Sequence, residues 1–384
     1  MEFINTVTTL ESKPESYSVS RLRTYTECSQ AYKYKYVDKL KVFSASVSTI
    51  IGSLLHEALE IYLHPDNEID FITVFETQSK LAFYKRKYID ENTDSAKFNK
   101  LYSNLLEYSR DIRTLHHRAS ADYKGKLAIR TKDGKPPSNP MMTSGWKEAS
   151  KNLNLNQRYY ELENEFKLIS TLEGVSLVEA FTEAYTLASN YKTPKEIVET
   201  VALEFKLSDY NYQTKEFTNA VLMPDEYGGD TGIYLNGYID WLGYVMFEGK
   251  KRFALIDYKS SKENLTADKL EYHAQLLAYV YAVEKLTGIE VEVIGVHSLR
   301  HKKLVMVKVD RDILQVANRS LFSKHKLIKA GHFYQEHLPD SQYSKCISSF
   351  GKECDFLAHC YPKFYNRLHP ESISNQLESL LLDQ

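Results

Sequence analysis

The chain has 384 residues, 43% of them hydrophobic and 26% charged, and a formal net charge of −2. That composition excludes a disordered or fibrous chain and requires a core large enough for one domain with an insertion, or for two domains. The nearly balanced charge excludes a uniformly basic surface that coats nucleic acid, although three runs leave room for local basic lining or, equally, for solvated helix faces: Lys85, Arg86 and Lys87; His116, His117 and Arg118; Arg300, His301, Lys302 and Lys303.

Ser18 or Ser20 is suited to cap a first helix over Val19 to Val37, which contains Cys28. A second helix is predicted over Ser48 to Leu63, with Ile51, Leu54, Leu55, Ala58, Leu59 and Tyr62 as its apolar stripe and His56 beside that stripe. From Asp70 to Asn190 the periodicity stays helical, interrupted by a loop at Lys132 to Ser144. After Pro194, β-branched and aromatic residues alternate over Val198 to Leu207, Ile233 to Phe247 and Phe253 to Tyr258, which predicts a sheet, and Gly228 to Gly232 supplies hairpin turn chemistry. A helix over Thr266 to Thr287 should stop at Gly288; strands over Val291 to His297 and Leu304 to Val309 follow, then a helix over Arg311 to Ala330. The divisions expected are an N-terminal helix within 1–45, a helical region 46–195, a sheet-bearing core 196–330, a cysteine-containing clasp 331–366 and a tail 367–384. No stretch has the apolar length of a membrane span and the N-terminus lacks the regions of a secretory signal, so a cytoplasmic location without a membrane partner is expected. There is no phosphate loop of the Gly-x-x-x-x-Gly-Lys-Ser/Thr type, hence no ATP-driven motor.

The chemistry concentrates in Leu255-Ile256-Asp257-Tyr258-Lys259 and the preceding Gly237-Tyr238-Ile239-Asp240. Alternate residues of a strand share a face, so Asp257 and Lys259 point the same way and Tyr258 the other. Carboxylates are hard oxygen ligands for Mg²⁺ or Mn²⁺, and an ammonium beside them can orient water and offset charge at a phosphoryl group. An isolated Asp-x-Lys is an ordinary charged strand end, and an isolated His56 an ordinary core histidine. Context adds weight: Gly52 sits one turn before His56, and Gln275 and Tyr279 share a helix face downstream of the Asp-x-Lys strand.

In the order Ser-x-Ser-Arg-Leu with Cys28, Gly-x-Leu-Leu-His-Glu, Glu204, Gly-Tyr-Ile-Asp240, Asp257-Tyr-Lys259 and Gln275-x-x-x-Tyr279, the chain resembles the PD-(D/E)XK nuclease superfamily in its RecB-like, AddB-like branch. The resemblance implies an α/β, restriction-endonuclease-like core: a small mixed central sheet flanked by helices, with a helical insertion and a cysteine-ligated terminal clasp. It further implies that His56, Asp240, Asp257 and the carbonyl of Tyr258 bind Mg²⁺ or Mn²⁺, that Asp240, Asp257 and Lys259 are catalytic, with Lys259 serving the attacking water, and that Gln275 and Tyr279 position the DNA backbone. Glu204 matches a family glutamate, or else pairs a core arginine or lysine. The four cysteines Cys28, Cys346, Cys354 and Cys360 equal the ligand count of a 4Fe-4S cluster and resemble the arrangement in iron-sulfur members of this branch. A four-thiolate zinc site and buried thiols without a ligand are the alternatives. The activity implied is hydrolysis of DNA, by exonuclease action on ends or single strands in recombination, repair or replication, by a stand-alone enzyme such as a viral one or beside a separate helicase or recombination protein. A non-catalytic DNA-binding or assembly protein on the same scaffold is the alternative of a different class.

Overall fold

The computed structural model describes residues 15–40, 46–85, 88–130, 153–172, 174–211, 213–261, 263, 265–335, 337, 346–347 and 353–369, with side chains left out at 84–85 and 116–130. The expected loop Lys132 to Ser144 and almost all of the tail lie outside this set.

The frame is a five-stranded mixed sheet in the order β10-β9-β8-β7-β2, with β2 Ile197–Lys206, β7 Tyr238–Phe247, β8 Lys250–Lys259, β9 Val293–Ser298 and β10 Lys303–Lys308. β8 and β9 are parallel, and every other neighbouring pair is antiparallel. The parallel pair is possible because α8 (Ala267–Glu271) and α9 (Ala274–Thr287) form the crossover between β8 and β9. Period-two alternation along β8 then builds a core on each face. Ala254, Ile256 and Tyr258 join α3 (Val47–Tyr62), α4 (Phe71–Lys85), α5 (Ser95–Arg130), α6 (Leu155–Lys167) and α7 (Leu177–Ser189) in one cluster. Phe253 and Leu255 join α1 (Val19–Glu27), α9 and α10 (Arg311–Lys329) in the other. The predicted helical region is therefore not an appendage but the cover of one sheet face, and the stripe of α3 is buried from Ile50 to Leu59.

Three expected elements are interrupted. The helix expected over Val19 to Val37 breaks at Cys28, whose backbone is extended and whose Sγ accepts the Ala31 amide, starting a new short helix, α2 (Ser29–Tyr32), that continues as a wider turn over Lys33–Val37. The strand expected over Ile233 to Phe247 divides at Gly237: β6 (Asp230–Asn236) pairs with β1 (Ser16–Ser18) and β5 (Leu222–Pro224) in a separate three-stranded sheet, while β7 belongs to the main one. β5 and β6 are the expected hairpin, its turn organised by Asp225 Oδ1, which accepts the amides of Tyr227 and Gly229. The helix expected over Thr266 to Thr287 divides at Tyr272 and His273, which separate α8 from α9. Gly288 ends α9 at φ 66°, where a side chain would be strained.

Two glycines fix the approach of neighbouring groups. Irregular pairing of β2 lays the Glu199 carbonyl over Gly243, where a Cβ would lie 2.1 Å from that oxygen. At Gly237 a Cβ would lie 2.9 Å from Cε1 of Tyr279, so the α9 ring seats directly on the backbone that leads into Asp240.

Candidate active site

Pairing between β7 and β8 runs from Phe247↔Lys250 to Trp241↔Ile256 and stops there. Asp240 and Asp257 are the next residues, and they occupy the mouth where the two strands part. β7 follows β2 instead, through Phe205↔Ile239 and Lys206↔Tyr238. The Tyr258 amide, without a β7 carbonyl, donates to Asp240 Oδ2 at 2.7 Å. The side chain of Asp240 thus takes over the ladder's role at the point where the ladder opens.

α3 delivers His56 into this opening. Its Nε2 lies 2.9 Å from the Tyr258 carbonyl, and its Nδ1 lies 3.5 Å from Asp240 Oδ1 and 3.8 Å from Glu204 Oε1. With Nε2–H donated to the carbonyl, Nδ1 faces the two carboxylates: the imidazolium donates to them there, and loss of that proton frees a lone pair for an ion. His56, Glu204 and Asp240 each offer one ligand atom, and all of these lie within 4.8 Å of one another. Glu204 reaches this place on a backbone held at φ 45°, the left-handed region that a non-glycine residue rarely adopts within a strand. It faces His56, and among the described residues no arginine or lysine forms an ion pair with it.

Asp257 belongs to a second, adjoining arrangement. It is only 4% exposed, and Lys259 Nζ donates to its Oδ1 at 2.9 Å while lying 2.8 Å from Oδ2. The pair on one face, two residues apart, is the arrangement expected from the strand period. Asp257 stands outside the three-residue group, and the Tyr258 carbonyl is engaged by His56. Gln275 and Tyr279 also come together, Gln275 Nε2 donating to the Tyr279 hydroxyl at 3.2 Å. Tyr279 is 5% exposed, so its ring is a wall of the site and the half-buried Gln275 is the member nearer to solvent.

The charges are mutually adjusted. Burial alone would lower the pKa of His56, but the carboxylates of Asp240 and Glu204 outweigh it and raise it to about 10. Burial raises Asp240, yet His56 and the Tyr258 amide hold its carboxyl below the usual range. Asp257 goes the other way: burial, with the neighbouring Asp240 charge, pushes it up despite Lys259.

Among the basic runs, Arg300 is structural. It pairs with Glu183 of α7 and donates from Nε to the Ser260 carbonyl at 3.2 Å, bracing the segment that follows Lys259. The side chains of the other two runs fall outside the described set.

Cys28 follows α1, and Cys346, Cys354 and Cys360 lie near the other end of the described chain; among the described residues no three of these thiols form a metal-ligand group. Tyr25 and Ser29 hydrogen-bond to the backbone of His332 and Tyr334, and His337 meets the Glu27 carbonyl. All four thiols are half-buried. Burial, then the nearby thiols of Cys28 and Cys354, raise Cys360 to about 11, and Cys354 shifts up through burial and the thiols of Cys28 and Cys346.

The family model of the PD-(D/E)XK nuclease superfamily matches residues 16–129 and 143–361, most of the chain. No curated protein matches it. Among the described residues, no helix is long and apolar enough to cross a membrane.

Because the His56 imidazole is protonated well above neutrality, a divalent ion taking its place among the carboxylates must displace a proton. Mn²⁺ affinity measured by calorimetry should therefore rise steadily between pH 6 and pH 9, with an enthalpy that depends on buffer ionisation; a flat affinity with no proton release would contradict this account of His56.

Proposed function

Since the chain belongs to the PD-(D/E)XK nuclease superfamily, we propose that it is a metal-dependent deoxyribonuclease of the RecB-like, AddB-like branch, acting as an exonuclease on DNA ends or single strands in recombination, repair or replication, alone or beside a separate helicase. The single observation that carries the reading is the joint placement of His56, Glu204, Asp240 and the Asp257–Lys259 pair at the mouth between β7 and β8.

One imidazole and two carboxylates form a donor set that suits Mn²⁺ or Mg²⁺, and His56, Glu204 and Asp240 would hold the ion, with Asp257 alongside. Such an ion supplies Lewis-acid polarisation of a phosphoryl oxygen and a lowered pKa for water. The chain's own residues do the remainder. Asp240 cannot swing away, because the Tyr258 amide fixes one of its oxygens. The buried carboxylate of Asp257 holds Lys259 Nζ at the strand end, where it can donate to the attacking water or to a non-bridging phosphate oxygen whose charge grows in the transition state. Gln275, braced by the Tyr279 hydroxyl, presents an amide to the adjacent backbone phosphate.

The non-catalytic alternative asks the chain to gather Glu204, Asp240 and Asp257 at one half-buried point with no ion to bind. Desolvating those carboxylates costs free energy that His56, Lys259 and the Tyr258 amide offset only in part.

For the clasp we propose a structural 4Fe-4S cluster on Cys28, Cys346, Cys354 and Cys360; a four-thiolate zinc site is the competing occupant. Their number, equal to the ligand count of such a cluster, and the bonds that tie the segment of Cys28 to His337, whose carbonyl accepts from Cys346, support it.

Two experiments test these readings. End-labelled DNA incubated with Mg²⁺ or Mn²⁺ should be degraded by the unmodified chain and ~10²–10⁴-fold more slowly by Lys259→Ala or Asp257→Ala variants that still melt cooperatively above the assay temperature; equal rates would remove the enzyme assignment. Anaerobically purified protein should be brown and carry iron and sulfide at four atoms each per chain, about the stoichiometry of one such cluster, and Cys360→Ser should lose both and melt at lower temperature. Zinc in place of iron would favour the other occupant.

A further inference from the structure

Two solvent-facing tyrosines lie close in the chain to residues of the site. Tyr238 is 53% exposed, lies two residues before Asp240, and has Lys206 Nζ 5.8 Å from its ring centroid. Tyr272 is 66% exposed and occupies the break between α8 and α9, three residues before Gln275. Among the described residues no other aromatic ring packs against either.

Two contacts join the strand segment that carries Tyr238 to the helix segment that follows Tyr272. Next to Tyr238, Gly237 leaves room for the Tyr279 ring and would clash with it if it bore a Cβ. The Tyr279 hydroxyl accepts from Gln275, one helical turn nearer the start of α9, and Gln275 stands beside His273 and Tyr272. Gly237, on which the Tyr279 ring sits, lies three residues before Asp240. Exposed tyrosines are common on protein surfaces, and Tyr227, 90% exposed in the β5–β6 turn, is one of them. What separates Tyr238 and Tyr272 is their place, the first two residues before Asp240 on β7 and the second three residues before Gln275, whose amide bonds the hydroxyl of the Tyr279 ring seated on Gly237.

We propose that Tyr238 and Tyr272 are base-stacking platforms that lead a single strand of nucleic acid across the carboxylates, so that this site takes unpaired bases. Within a duplex each base face is already covered by its neighbour; an exposed phenol ring can stack only on a base released from that arrangement. Stacking on an aromatic side chain tolerates any base, as an enzyme without sequence preference requires. The proposal rests on the nuclease reading, and its test separates the two.

The full chain carrying Asp257→Asn, so that substrate survives, is titrated with single-stranded oligonucleotides containing 2-aminopurine and, separately, with duplex. The expected result is quenching of the 2-aminopurine on binding. Tyr238→Leu and Tyr272→Leu should each lose most of that quenching and weaken single-strand binding by ~10-fold, while Tyr238→Phe and Tyr272→Phe retain both and Tyr227→Leu changes nothing. Leu variants that melt normally yet quench and bind like their parent overturn the proposal, as does an equal loss for single strand and duplex. Digestion of labelled DNA by the unmodified chain is followed in parallel. If it is degraded while the Leu variants bind unchanged, stacking falls and the nuclease reading stands; if binding follows the tyrosines but DNA stays intact, stacking holds and the nuclease reading falls.

Discussion

The bond from the Tyr258 amide to the Asp240 carboxylate is the contact on which the site depends. Two antiparallel strands that separate leave backbone donors and acceptors exposed along the seam, and a buried orphan amide is costly. β7 and β8 separate after Trp241↔Ile256, and the first amide of β8 left over is met by a side chain rather than by water. A charge-assisted bond of this kind contributes about 1.5–3 kcal/mol. It lets the strands diverge without an unsatisfied donor and fixes a carboxylate at the point of divergence. His56, Glu204 and Asp257 are then arranged around that fixed group.

The electrostatics follow from this crowding. Three carboxylates in one partly desolvated mouth repel one another, and the chain answers with a histidine held protonated and with a lysine aligned on the most buried acid. The opposite shifts of Asp240 and Asp257 express the same balance: the first has His56 and an amide, the second has lost more water than Lys259 restores. A doubly charged cation would relieve the repulsion more completely than a single imidazolium, which is why the donor set reads as a metal centre and not as an isolated ion-pair network.

Period two placed Asp257 and Lys259 on one strand face, and period 3.6 marked the buried stripe of the helix that carries His56; both are local patterns and both were legible in the sequence. The mixed sheet was legible as a run of alternating segments, though not its order, which depends on long-range pairing. Glu204 was marked only by resemblance, because its left-handed backbone and its place opposite Asp240 arise from the way β2 pairs with β7. The burial of Tyr279 was hidden for a similar reason: it depends on Gly237, forty-two positions earlier, being bare. The breaks at Cys28 and at Tyr272 and His273 contain neither glycine nor proline. At Cys28 the side chain itself caps the next helix, a tertiary choice that propensity does not record.

The most direct test of the central claim is anomalous diffraction from crystals grown with Mn²⁺. The account predicts a peak bounded by the His56 imidazole and the Glu204 and Asp240 carboxylates, at ligand distances of roughly 2.0–2.3 Å. Crystals with Mn²⁺ bound elsewhere and none at the mouth between β7 and β8 would contradict it.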